Sequence, residues 1–363
     1  MGIFRRIIST ISTLGVAPGL TGVLGELLFP DYVADWAAQE QCLPEISQEE
    51  PVFADQALKD ILEKVVDSGV VVFTVFVDTR DREEGRRFAR NMDTWMCRVR
   101  SVLASSFLAF VDSEKLRKHF ESQYGVSAYF SKEWIKEAFK GRGDGERHDS
   151  NYWRWVAMES ILRAGYSAFY VDTDIMWLGD PRPHLGALPV ADFYGSCDTY
   201  DAGTGSVRWY QNGSLDMEQL RKESKEHDDE SVCCQGFLVP VNAGIVLMRP
   251  FPAAIEAVLR FRQRVISGPC WGQAAMQWAL FELCGPRGLL RCQLLEPLRF
   301  ASASPLMQEL RRKRGKALQA SYQPSLIHLD LDGKMKTSAN QFFERVFGVP
   351  KECSKEGRQR QDL

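Results

Sequence analysis

The chain has 363 residues, with 45 Lys and Arg against 48 Asp and Glu, for a formal net charge of −3. Hydrophobic residues make up 45%, aromatics 11% and charged residues 26%, enough apolar material for a large core. This excludes a disordered chain, a collagen and a multi-span membrane protein, and the near-neutral balance argues against nucleic-acid binding.

No internal repeat is present, and the length suits one large α/β domain or two modest ones. The nine cysteines (Cys42, Cys97, Cys197, Cys233, Cys234, Cys270, Cys284, Cys292 and Cys353) form no CxxC pair. That argues against a structural zinc site. The odd, scattered set reads as mostly buried thiols with one or two bridges, and leaves the compartment open.

At the N-terminus Arg5 and Arg6 precede an uncharged stretch, Ile7–Gly25. A spanning helix needs ~20 mostly apolar residues. The serines, threonines, glycines and Pro18 here make a poor span, so the stretch reads as a signal anchor, an uncleaved signal or an amphipathic leader. Residues 26–54 are mixed and acidic, a stem or linker. The main domain is expected over 55–350, with a charged tail over 351–363.

Leu58, Ile61, Leu62 and Val65 have helical spacing, and Gly69 ends that helix. Val70–Val77 is a continuous apolar, β-branched run, as in a strand buried on both faces of a parallel sheet. A helix over Arg87–Val102, a strand at Phe107–Val111, a helix at Ser113–Ser122 and a strand at Val126–Phe130 follow. Lys140–Ser150 is a polar loop. Trp155, Met158, Ile161 and Leu162 stripe the next helix, Gly165 closes it, and Tyr166–Val171 is a fourth strand. This alternation implies a doubly wound, mostly parallel α/β sheet with flanking helices.

After Asp192–Ser196 the pattern loosens into a polar insertion, Ala202–Ser231. Strands are expected at Phe237–Pro240 and Ile245–Met248, helices over Ala253–Ile266 and near Gly272–Leu283, and short strands at Leu289–Leu295 and Ser325–Leu331.

The sharpest feature is Gly165–Pro181, GYSAFYVDTDIMWLGDP. Asp172 and Asp174 stand at the C-terminal end of a buried strand, where open α/β sheets bind ligands. On extended backbone, positions i and i+2 project the same way. Two hard carboxylates side by side suit Mn²⁺ or Mg²⁺ and a bound diphosphate. The alternative is a pair of strand-end caps with no metal.

With its strand, Asp-x-Asp, Trp-Leu and Pro in order, this block resembles the nucleotide-diphospho-sugar transferase domain of glycosyltransferase family 77, and the likeness runs from about Val70 to Gly348. The resemblance implies a GT-A fold with a mixed, mostly parallel sheet. It implies metal-dependent transfer from a nucleotide-sugar with retention of anomeric configuration, and Asp172 and Asp174 as metal ligands. Thr74 matches the position that seats the nucleoside. Arg90-Asn91, Ala191-Asp192-Phe193 and Asn242-Ala243-Gly244 agree in order. Asp198 is implied to face the donor sugar, and Asn242 and Gly244 to let backbone approach it. Pro324–Leu331 with Gly333-Lys334 resembles the C-terminal metal-and-phosphate element, making His328 the third metal ligand and Lys334 the diphosphate partner.

One departure stands out. The family carries Asp-Gln before an apolar stretch and an Asn, whereas here Trp271 is followed by Gly272, Gln273 and, further on, Gln277. Gln273 is retained at the position implied to sit under the reacting carbon. The expected activity is therefore transfer from a UDP-sugar, with Mn²⁺ or Mg²⁺, to a carbohydrate or glycoprotein hydroxyl. A secretory-pathway lumen such as the Golgi is the implied location. A binding-only pseudoenzyme is the alternative from a different class, supported by Gly272. A related retaining transferase shares the same fold and metal. A dehalogenase-type phosphatase wants Asp-x-Asp on its first strand, not its fourth.

Overall fold

The computed structural model describes residues 55–77, 83–138, 150–197, 200–201, 206–207, 210–211, 214–215, 241–267, 290–296, 299–303, 324–329 and 333–348. Met276, Gln277, Ala279, Leu280, Leu283, Leu306, Met307 and Cys353 are also described. All fall in the compact unit Glu49–Leu363. The expected leader and the strand at Phe237–Pro240 lie outside these residues. Among the described residues no helix is long and apolar enough to cross a membrane.

Helix α1 (Gln56–Val65) starts where the Asp55 carboxylate accepts from the Ala57 N–H at 2.8 Å. The chain then runs through β1 (Val70–Phe76), α2 (Glu83–Leu103) and β2 (Leu108–Val111). Next come α3 (Glu114–His119), a π-helical turn over Phe120–Tyr124, and β3 (Ser127–Tyr129). Helices α4 (Lys132–Ala138) and α5 (Ser150–Arg163) lead to β4 (Ser167–Val171). Gly165, at φ +88°, adopts the left-handed backbone that turns α5 back into β4.

Beyond β4 lie β5 (Ile175–Trp177), α6 (Arg182–Leu185) and β6 (Phe193–Cys197). The two-residue strands β7 to β10 (Tyr200–Asp201, Ser206–Val207, Tyr210–Gln211, Ser214–Leu215) follow. Then come β11 (Val241–Met248), α7 (Pro252–Ser267), β12 (Cys292–Leu294), β13 (Phe300–Ser302), β14 (Leu326–His328) and α8 (Gly333–Phe347).

Seven strands form the main sheet in the order β12-β6-β11-β4-β1-β2-β3. β11 runs antiparallel to both neighbours, β4 and β6, and every other pairing is parallel. This is the mixed, mostly parallel, helix-flanked α/β arrangement expected. Both sheet faces are covered. One buried cluster joins Trp153, Trp155, Leu162 and Phe261 of α5 and α7 to Phe73, Tyr170 and Val246. The other joins Met96, Val99 and Phe120 to Val72, Phe169 and Leu247. β1 is apolar except for Thr74 because neither face meets water.

Several details differ from the sequence reading. The expected helix Ser113–Ser122 is an α-helix followed by a π turn. The polar insertion contributes to a four-stranded antiparallel sheet, β10-β9-β8-β7. The segment Asn242-Ala243-Gly244 is not a turn between two strands. It lies inside β11, which pairs with β6 on both sides of an irregularity between Asn242 and Val246. A bulge lets one strand carry an extra residue and bend without ending. A second, three-stranded sheet, β13-β14-β5, was not expected from the sequence.

Gly195 of β6 tests how tightly β11 is seated. A Cβ there would overlap Val241 Cγ1 and come within 3.2 Å of Phe193 Cε1. Val has few rotamers with which to withdraw. Gly195→Ala should lower unfolding free energy by about 1–3 kcal/mol in urea titration. An unchanged midpoint would mean that this strand pair has slack.

Candidate metal and nucleotide-sugar site

The site forms at the C-terminal end of β4, where the chain leaves the main sheet for the small one. Asp172 and Asp174 do not sit on extended strand, as the spacing argument assumed. Residues 172–174 form a turn, with the Ile175 N–H donating to the Asp172 carbonyl at 3.3 Å. The turn, not strand alternation, brings the two carboxylates to one point.

β5 then pairs antiparallel with β14, in a register that sets His328 opposite Ile175. The Leu329 N–H donates to the Asp174 carbonyl at 3.1 Å. His328 Nε2 comes within 3.2 Å of Asp174 Oδ1, although 154 residues separate the two in sequence. Ligand atoms of Asp172, Asp174 and His328 all lie within 4.8 Å of one another. His328 is buried, while both aspartates keep partial exposure. Two carboxylate oxygens and an imidazole nitrogen, half open to solvent, fit Mn²⁺ better than a soft metal. Nothing in the donor set requires thiolate chemistry.

Asp172 is held from three sides. Its N–H donates to the Gly244 carbonyl at 2.8 Å. The Tyr170 hydroxyl donates to its Oδ1. Arg154 Nη1 stands 3.7 Å from its Oδ2. Burial, helped by the neighbouring carboxylates Asp172 and Asp174 and opposed by Arg154, pushes the Tyr170 phenol well above its ordinary value. Tyr170 therefore stays protonated and remains a donor.

Arg154 was missed in the sequence. It is buried on α5, donates to the Ala243 carbonyl at 2.6 Å, and lies over the Tyr170 ring at 4.8 Å. It thereby braces both β11 and Asp172. Its signal was a charge between Trp153 and Trp155 in a helix buried all round, where an ion needs a partner. α5 itself is pinned to α7. Arg262 pairs with Glu159, which also accepts from Arg163 Nε at 2.7 Å.

Gly244 faces the imidazole, and Asn242 folds back onto Gly244. Asn242 Oδ1 accepts from the Gly244 N–H at 2.5 Å, and a Cβ on Gly244 would lie 2.6 Å from His328 Nε2. Thr74 is fully buried and its hydroxyl donates to the Val171 carbonyl. Here it braces the strand that carries Asp172 and meets the sheet, not an open surface. Lys334 lies in the first turn of α8. Gln273 and Asp198 fall outside the described residues. Gln277, where the resemblance expects Asn, is buried and donates to the Val241 carbonyl at 2.7 Å.

A profile of the nucleotide-diphospho-sugar transferase family matches residues 106–338, and the chain belongs to that family. No curated protein sequence matches the chain. Among solved structures it is similar to the bifunctional glycosyltransferase WbbM, at 14% identity and a TM-score of 0.46, over 82% of this chain and 53% of that one. It is similar to mouse xyloside xylosyltransferase 1, at 12% identity and 0.41, over 71% and 96% of the two chains. It is also similar to the glycosyltransferase GlyE of Streptococcus pneumoniae, at 10% identity and 0.35, over 77% and 65%. The chain thus spans about half the length of the first of these.

Proposed function

We propose that the chain is a retaining glycosyltransferase of the family 77 type, moving a sugar from a UDP-sugar to a hydroxyl on a glycan or glycoprotein. The observation that carries the reading is the meeting of Asp172, Asp174 and His328 at one point within the described residues of a nucleotide-diphospho-sugar transferase. Asp172, Asp174 and His328 would hold a divalent ion, whose Lewis acidity would stabilise the leaving diphosphate.

The chain's own residues do the rest. Tyr170 and Arg154 hold the Asp172 carboxylate in one orientation, so little reorganisation is left for the moment of reaction. Lys334, at the start of α8, offsets diphosphate charge, and the α8 N-terminus adds its dipole. Asn242 and Gly244 allow backbone to come close to the sugar. The family resemblance assigns Gln273 to the anomeric carbon and Asp198 to the sugar hydroxyls.

The acceptor oxygen bonds to the anomeric carbon as its bond to the β-phosphate oxygen breaks. The bonding pair leaves with UDP, whose phosphate takes the acceptor proton. This front-face course needs no carboxylate nucleophile. The Cys97–Cys353 bridge described below suits an oxidising compartment, in keeping with a secretory-pathway lumen.

The test is a panel of UDP-sugars with Mn²⁺, reading free UDP with and without acceptor glycans. Metal-dependent UDP release from at least one donor is the expected result. A thermal shift with UDP and Mn²⁺ but no turnover on any donor would select a binding-only protein, the outcome that Gly272 favours.

A further inference from the structure

The metal site has two halves from distant parts of the chain. Asp172 and Asp174 are rooted in the main sheet through β4. His328 stands on β14, one of three short strands that alone make a weak platform. α8 begins five residues after His328 and covers the outer face of that small sheet. Its Ala339 and Phe343 pack with Met176, Ala301 and Ile327.

The other side of α8 is gripped by two consecutive residues of α2. Arg98, 5% exposed, donates to Asn340 Oδ1 at 3.2 Å and pairs with Glu344. Its neighbour Cys97 is bonded to Cys353, just past the end of α8, with Cα atoms 5.6 Å apart at a sequence separation of 256. α2 also touches the first half of the site. Trp95 meets Trp177 of β5 with ring centroids 6.3 Å apart, and β5 begins directly after Asp174. The loop of contacts closes from Asp174 through β5, α2, the disulfide and α8 back to His328.

Resting on the metal and donor reading above, we propose that the Cys97–Cys353 bridge, with Arg98, is a positioning device that keeps His328 and Lys334 registered against Asp172 and Asp174. Mn²⁺ and UDP affinity therefore depends on an oxidised crosslink far from the ligands themselves. Without it the C-terminal end of α8 keeps the Arg98 contacts and the apolar packing of Phe343 but loses its covalent tie to α2, and the support behind the strand carrying His328 loosens. Losing a support of a metal ligand costs affinity even when the ligand is intact.

The test uses the full chain carrying Cys97→Ser and Cys353→Ser together, with Mn²⁺ alone and Mn²⁺ plus UDP as probes. Binding is measured by calorimetry well below the melting temperature. The expected result is roughly tenfold weaker Mn²⁺ binding, with turnover at saturating donor and metal changed far less.

Arg182→Ala is the control. It removes ion pairs to Asp180 and Asp67 at 2.7 and 2.6 Å, beyond the far end of β5. It should lower the melting temperature and leave Mn²⁺ binding alone. Should the double variant not fold, Glu344→Gln loosens the same grip and should weaken Mn²⁺ binding by about threefold. Wild-type Mn²⁺ affinity in the folded variants would overturn the proposal. A wild-type protein that binds neither probe would overturn the metal reading itself, and this inference with it.

Discussion

Asp174→Ala should abolish metal-dependent UDP-sugar turnover, lowering it by at least about 100-fold, and should erase the thermal shift that Mn²⁺ gives the wild type. The carboxylate is one of three groups around the point where Asp172 and His328 meet it, and its Oδ1 lies 3.2 Å from His328 Nε2. Removing it leaves a carboxylate and an imidazole, too few protein ligands to compete with water for Mn²⁺. Without metal the sign reverses. Two partly exposed carboxylates in one turn repel each other, so deleting one relieves that repulsion. Loss of the Asp174–His328 contact at 3.2 Å offsets that relief, so the metal-free melting temperature should stay nearly level. A fall of several degrees without metal would mark Asp174 as a structural cap, and the metal reading would fail. Asp174→Asn separates the two effects, since it keeps the shape and loses the charge. It should behave like the alanine variant towards Mn²⁺.

Much of this architecture was legible because local pattern and burial agree. β1 and β4 read as strands from mostly apolar, β-branched and aromatic runs, and both lie at the centre of the sheet with nearly every residue buried. Asp172 and Asp174 are legible from the strand before them, and His328 from the resemblance of Pro324–Leu331 with Gly333-Lys334 to the family's C-terminal element. The small sheet was not legible. β5, β13 and β14 are three residues each, too short for alternation to register, and their partners lie far apart in the chain. The pairing of Cys97 with Cys353 could not be chosen among nine cysteines. Cys292 is bonded as well. α8 is legible from Ala339, Phe343 and Val346, which share a helical face. Arg154 escaped because nothing in the sequence announces that a buried cation has Asp172 and the Ala243 carbonyl as neighbours.

Gly244 carries the second large effect. A Cβ there would stand 2.5 Å from His328 Cε1, 2.6 Å from Nε2 and 2.9 Å from Asn242 Oδ1, so something must move. The His328 backbone is fixed because β14 is paired on both edges, with Ser302 on one side and Ile175 on the other, so the ring gives way only by rotating and carrying Nε2 from its place 3.2 Å from Asp174 Oδ1. Moving Gly244 instead disturbs Asp172, whose N–H donates to the Gly244 carbonyl at 2.8 Å. Either response displaces a metal ligand. Overpacking costs typically run about 1–3 kcal/mol, and about 1.4 kcal/mol already corresponds to tenfold in affinity. Gly244→Ala should therefore weaken Mn²⁺ binding by about tenfold or more, measured by calorimetry on protein whose circular dichroism is unchanged. Gly179→Ala is the matched control, since its Cβ would meet only ordinary contacts at 3.9 Å from Ser325. It should bind Mn²⁺ as wild type does. If Gly244→Ala did the same, the imidazole would have room that the backbone geometry denies it. The close packing of β11 against His328 would then have no part in holding the metal.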